Sequence, residues 1–187
     1  MKSGFTLIEL IVVLGVVALV STIAFTTLKT GGETLALDRA SHRLAQDLRR
    51  AAQMALRGEV FTCPNAGDTV AGYGIRFDKS GSTIARCYLI YADCTNDAVY
   101  TGPNCATGGA GSTDGIVETI SLETGVEIAG ISLGSPADVQ FDPPYPTVHI
   151  KQSTSPGAIL KIVLSSVVNP SQMKTVEITG RGAIRIY

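Results

Sequence analysis

The sequence predicts an α+β fold: a long N-terminal helix whose first half spans a membrane, packed through its second half on a mostly antiparallel β-sheet domain. Three observations carry this reading. No charged residue occurs from Leu10 to Leu28. A stripe of Leu and Ala at helical spacing follows. Past Gly58 the pattern switches to short alternating segments between clusters of Gly, Pro, Asn, Asp and Ser.

The apolar run comes first. Phe5 to Leu28 covers 24 residues, roughly 36 Å as a helix, against a hydrocarbon core of about 30 Å. A secretory signal peptide has a shorter apolar stretch and a small-residue cleavage site after it, which this run lacks. Lys2 is the only basic residue ahead of the run, which favours a cytoplasmic N terminus and an extracytoplasmic remainder. Glu9 stands out, because an acid at the edge of a bilayer core is expensive and usually marks function.

The helix is expected to continue to residue 57. Gly31 and Gly32 weaken it locally, by about 1 kcal/mol each relative to Ala, and predict a bend or a melted segment. Beyond them Leu37, Leu44, Leu48, Ala51, Ala55 and Leu56 recur at spacings of three, four and seven, with Arg39, Arg43, Arg50 and Arg57 mostly off the stripe. Gly58 is a good C-cap. The arginines read either as a solvated face or as contacts to an acidic partner.

Nine strand-like segments follow. They are GYGIRFD, TIARCYLIY, IVETISL, VEIAGIS, DVQF, TVHIK, AILKIVL, KTVEI and AIRIY. Their apolar face needs a cover, and the Leu37–Leu56 stripe supplies one. The stretch ATGGAGSTDG at 106–115 is small and polar and is expected to be the most mobile part. The organisation is therefore 1–4 as a leader, 5–28 as the membrane helix, 29–57 as its amphipathic continuation, and 58–187 as a β-rich domain.

Composition narrows the function. The chain has 187 residues, 45% hydrophobic and 17% charged, with a net charge of −1. Nothing there draws the whole chain to nucleic acid or anionic lipid. Cys63, Cys87, Cys94 and Cys105 all lie in the strand-rich part, and an even number in an exported domain favours disulfides. Three pairings are possible. The local one, Cys63–Cys87 with Cys94–Cys105, is favoured, its second bridge closing the loop DCTNDAVYTGPNC. A zinc site wants short C-x-x-C knuckles, and the gaps here are 24, 7 and 11.

The first residues carry a resemblance. Gly4, then Phe5, Thr6, Leu7, Ile8 and Glu9, resembles the signal of type IV prepilins and type II secretion pseudopilins. The resemblance implies that a prepilin peptidase cleaves between Gly4 and Phe5 and methylates the new amine of Phe5. Glu9 would then be the acid five places into the mature chain. Lying one helical turn from that amine, it would neutralise its own subunit's amine or a neighbour's, and so set register in a filament. The implied partners are other pilin or pseudopilin subunits, the peptidase, an inner-membrane assembly platform and membrane lipid. The implied location is the inner membrane as a single-pass protein, then a pilus or pseudopilus.

Further residues are similar to one branch of that superfamily. Leu44, Asp47, Leu48, Ala51, Ala55 and Arg57 hold the places of a post-membrane pattern found in minor pseudopilins of the GspH/FimT-like branch. GYGIRF and TGRGAIRIY resemble its next and closing strands. Some minor pilins of that branch capture DNA through a C-terminal Gly-Arg-x-Arg motif. Here Arg181 follows Gly180, and the second arginine, Arg185, comes two positions late. In one strand the two would share a face about 13 Å apart, whereas TGRG reads as a hairpin turn.

Enzymatic motifs are lacking. There is no Gly-x-Ser-x-Gly elbow, P-loop or His-Glu-x-x-His, and His42 and His149 read as surface or packing residues. No catalytic residue, cofactor or metal is expected. Asp93, Asn96 and Asp97 offer oxygen ligands to calcium, but not at the spacing of an EF-hand. A filament subunit is the favoured reading. A DNA-capturing minor pilin and a membrane-anchored periplasmic enzyme or binding module are the alternatives. Eight acids and no Lys or Arg lie between Cys87 and Ile150, while residues 151–187 hold five bases and one acid. Such patches either dock subunits head to tail or are spent within one fold.

Overall fold

The computed structural model describes residues 6–65, 67–79, 81, 84–106, 112–144, 147–151 and 153–187, and for helical residues 23–31 the backbone alone. The chain divides into two compact units, Met1–Leu35 and Ala36–Tyr187.

The described part of the first unit is helical. Helix α1 runs from Leu7 to Arg57 and is assigned without a break across Gly31 and Gly32. The melted segment expected there is not found, since the cost of two glycines is small beside 51 helical residues. Every side chain from Thr6 to Thr22 is exposed. Ser21 and Thr22 donate their hydroxyls to the carbonyls of Val17 and Ala18, at 2.8 and 2.9 Å. Among the described residues no helix is long and apolar enough to cross a membrane. The side chains of residues 23–31, which include the end of the apolar run, fall outside that description.

In the second unit the stripe is buried as its spacing requires. Leu37, Leu44, Leu48, Ala51 and Ala55 are at most 2% exposed. Leu56 is the exception, at 50%. It follows Ala55 directly, so it points about 100° round the helix from the buried line. Gly58 ends the helix at φ +59°, with the Glu59 amide reaching back to the Met54 carbonyl at 3.2 Å.

All nine expected strands form, in two antiparallel sheets. They are β1 (Gly72–Phe77), β2 (Cys87–Asp93), β3 (Gly115–Ser121), β4 (Val126–Ile131), β5 (Ala137–Asp142), β6 (Thr147–Ile150), β7 (Ile159–Ser166), β8 (Met173–Thr179) and β9 (Ile184–Ile186). A short 3₁₀ turn, Ile84–Arg86, replaces the expected start of β2. One sheet has the order β3-β2-β1-β5-β6 and the other β4-β7-β8-β9. Helix residues 37–55 and the inner faces of both sheets share one apolar core that includes Ile75, Phe77, Ile90, Phe141, Leu160 and Val176.

Strand β2 is buried along its whole length, because both of its faces are covered. The core side meets the helix, where the Tyr88 hydroxyl donates to Asp47 at 2.5 Å. The other side is covered by the loop after Asp93, through a small cluster of Leu89, Tyr91 and Tyr100 with Cys105 and Ile116 against it. The disulfides fasten this loop, as Cys63–Cys94 and Cys87–Cys105.

That pairing corrects the local one expected, Cys63–Cys87 with Cys94–Cys105. The reason is the strand itself. Cys87 opens β2 and Cys94 follows its last residue, so they sit a strand length apart, about 23 Å at ~3.3 Å per residue. The segment feeding β1 arrives at the Cys94 end, where Ala71 donates to Asp93, and brings Cys63 there. The loop then runs back along β2 and returns Cys105 to Cys87, with Cα atoms 6.0 Å apart.

Candidate functional site

The candidate sites are built on three elements: the start of α1, the fastened loop, and the end of the β8–β9 hairpin. Gly4 and Phe5 lie outside the described residues. The helix that follows them is capped by Thr6, whose Oγ1 and carbonyl both accept from the Glu9 amide, at 3.4 and 3.1 Å. This puts Glu9 in the first helical turn, exposed, where a carboxylate also suits the positive end of the helix dipole. The sequence reading missed the cap, although Thr-x-x-Glu ahead of an apolar run is its signature. Glu9 thus has a local structural use beside any partner it meets.

At the end of β2, where the loop begins, Asp93 is fully buried and accepts hydrogen bonds from the amides of Thr95, Asn96 and Ala98 and from the Gln140 side chain, at 2.7–3.1 Å. Asn96 and Ala98 hold φ of +58° and +59°, conformations that those bonds to the carboxylate help to hold. Asp97 accepts from the Val99 amide. Asp93 and Asp97 therefore act as acceptors for N–H donors, the opposite of the calcium site considered for Asp93, Asn96 and Asp97. Among the described residues no group of three or more His, Cys, Asp or Glu is placed to hold a metal.

Asp114 closes the other end of the loop, accepting from the amides of Cys94 and Thr101 at 2.9 and 2.7 Å. Burial raises its carboxyl above the usual range although those donors oppose the shift. Arg76 ties the loop to the sheet. Its Nη1 donates to the Tyr100 carbonyl and to Asp138, and its guanidinium lies 5.5 Å from the centre of the Tyr100 ring. Asp138 is pushed up to about 6, chiefly by burial, against the attraction of Arg76. Burial also raises the Tyr91 hydroxyl well above its usual value. Residues 107–111 of the stretch expected to be mobile lie outside the described residues.

At the C-terminal hairpin, Gly180, Arg181 and Gly182 form the turn foreseen in TGRG, with Gly182 at φ +78° and its amide donating to Thr179. A side chain at Gly180 would run into the carbonyl oxygen of Ser155. Arg181 lines a cleft beside Arg49 and Ile184. Arg185 stands on β9 opposite Glu177, on the other face of the strand from Ile184. Arg181 thus lies in the turn and Arg185 in the strand that follows it.

The charge patches are largely spent within the fold. Glu118 meets Arg50, Glu123 meets Arg39, Asp138 meets Arg76 and Asp142 meets His149, at 2.5–3.2 Å. Lys161 pairs with Glu177 and Lys174 with Asp38, and Lys151 donates to the Leu133 carbonyl. The arginines of α1 that read as a solvated face are in part counter-ions for the sheet's acids. His42 is exposed on the helix.

What these elements define is an α+β domain behind a capped, apolar helix bearing one early carboxylate. Residues 1–25 match the family described as the prokaryotic N-terminal methylation motif. That match supports the type IV pilin and pseudopilin superfamily. No curated protein and no solved structure matches the chain significantly.

Proposed function

We propose that the chain is a structural, non-catalytic subunit of a type IV pilus or a type II secretion pseudopilus, of the minor kind related to the GspH/FimT-like branch. The observation that carries this is the methylation motif over residues 1–25, with Glu9 in the first turn of the helix. The subunit waits in the inner membrane through its apolar helix, with its β-rich domain outside the cytoplasm. A prepilin peptidase cuts between Gly4 and Phe5 and methylates Phe5. Through an assembly platform the subunit then joins its neighbours by the helix, where Glu9 meets a Phe5 amine. A pair formed in low dielectric gains more than one in water, and an unpaired carboxylate there is penalised, so register follows from pairing.

Intact mass of the membrane-extracted protein tests this. The expected mass is that of a chain starting at methylated Phe5, with Gly4→Val accumulating the uncut form. A mature chain that keeps Met1 to Gly4 removes the subunit reading.

A further inference from the structure

We propose that the cleft between the free edges of the two sheets docks a second copy of this chain, through the segment beginning Glu59-Val60. The inference extends the subunit reading and rests on it, by naming a contact between the β-rich domains.

The cleft is defined by topology. One sheet ends at β6 and the other at β9. The space between them, about 290 Å³, is lined by Phe141, Val148 and Ile184 and, from the helix, by Leu56 and Arg49, with Arg181 at the hairpin turn. Backbone groups point into the gap from both sides. Lys151 bonds to Asp138, so by antiparallel alternation Val148 turns its N–H and C=O away from β5. Ile150, the other outward residue of β6, is already bridged to Ser153. On β9, Ala183 and Tyr187 bond to β8, which turns Ile184 and Ile186 outward. An extended segment laid along either edge meets the outward backbone groups of Val148, or of Ile184 and Ile186.

Charge and shape select the occupant. The lining carries two guanidiniums and no acid, and neither Arg49 nor Arg181 joins an ion pair among the described residues. The complement is an extended apolar segment with a carboxylate. Val60 is 98% exposed, more than any other large apolar side chain described, and Glu59 beside it is exposed too. Residues 59–62 belong to no helix or strand. They cannot fill their own cleft. Phe61 lies against Gly115 on β3, at the far edge of the sheet from β6, and Tyr73 holds the Glu59 carbonyl. Donor and acceptor are different patches of one domain, so the contact is heterologous, one copy's segment entering the other copy's cleft.

The test uses the full chain in detergent, as an equal mixture of ¹⁴N- and ¹⁵N-labelled protein carrying a photo-crosslinking benzoylphenylalanine in place of Val60. The expected product is a mixed-isotope crosslink from position 60 to residues 49–56 or 181–187. Glu59→Arg, or the Arg49→Glu/Arg181→Glu double variant, should lower its yield about tenfold or more. Joining the two changes in one chain should restore it. All three positions are exposed, and cysteines that stay resistant to alkylation report that each variant folds. Crosslinks confined to one copy, crosslinks to other surfaces, or a yield indifferent to charge reversal overturns the proposal. The mass of the same sample reads cleavage after Gly4, so failure of docking and failure of the subunit reading are told apart.

Discussion

Replacing Asp138 by Asn should remove a pH dependence of stability whose sign separates two opposing forces. The Asp138 carboxylate lies 3.2 Å from the Arg76 guanidinium, yet only 4% of the residue is exposed. Burial wins, and the carboxyl titrates at about 6 instead of its ordinary 3.8. Folding therefore favours the protonated acid. The stabilisation this gives is fully present below pH ~3.8 and is lost as pH rises through about 6. A displacement of about two units corresponds to roughly 3 kcal/mol at most, at ~1.36 kcal/mol per unit. Asn keeps the shape and removes the titration. Relative to the natural chain, the variant should gain stability between pH 4 and 7 by up to that amount. Asp114 is raised in the same direction, but it is present in both proteins and largely cancels. Urea unfolding of the full chain in detergent, followed by near-ultraviolet circular dichroism, reads the change, since Tyr91 and Tyr100 lie beside the pair. A variant that loses ground as pH rises would show the Arg76 attraction outweighing burial, and would refute the argument.

Three further outcomes follow from the packing and the N-terminal helix. Leu44→Ala, at a fully buried helix position in the shared core, should cost about 2–5 kcal/mol and lower the thermal midpoint by roughly 2–4 °C per kcal/mol; a change under about 1 kcal/mol would mean that the site collapses freely. Digestion without reduction should yield linked peptides joining Cys63 to Cys94 and Cys87 to Cys105, and loss of either bridge should cost about 2–5 kcal/mol; a Cys94–Cys105 peptide would contradict the strand argument. Glu9→Ala should insert into membranes as well as the natural chain or better, while entering filaments poorly; normal assembly would end its role in register.

The elements of the fold were legible because each buries one face. Leu160, Ile162 and Leu164 alternate with Ile159, Lys161 and Val163, and that alternation marks β7 by itself. Partition of the strands was not legible. β3 and β4 adjoin in sequence but belong to different sheets, and the chain returns to the first for β5 and β6 before β7. Local pattern records which face is buried, not which neighbour covers it. The disulfides failed for the same reason, since the positions that decide them lie at opposite ends of β2, which was expected over TIARCYLIY and instead runs from Cys87 to Asp93. Arg39 and Arg50 looked solvated because their partners, Glu123 and Glu118, are distant in sequence. At the candidate sites, Glu9 was found by register with Gly4 and Phe5. The cap at Thr6 and the pinning of the loop by Asp93 and Asp114 were missed, because each depends on which amide a carboxylate or hydroxyl meets.

The loop over β2 has a use as a point of attachment. It is clamped at Asp93 and Cys94, again at Cys105, and finally at Asp114. Cys105 and Asp114, which flank residues 107–111, are each fixed by bonds of their own. Doubling the length of a segment between two fixed points costs only about 0.6 kcal/mol in closure entropy. A peptide tag or a fluorophore-accepting sequence inserted between them should therefore leave both anchors in place while the subunit is followed in a living cell.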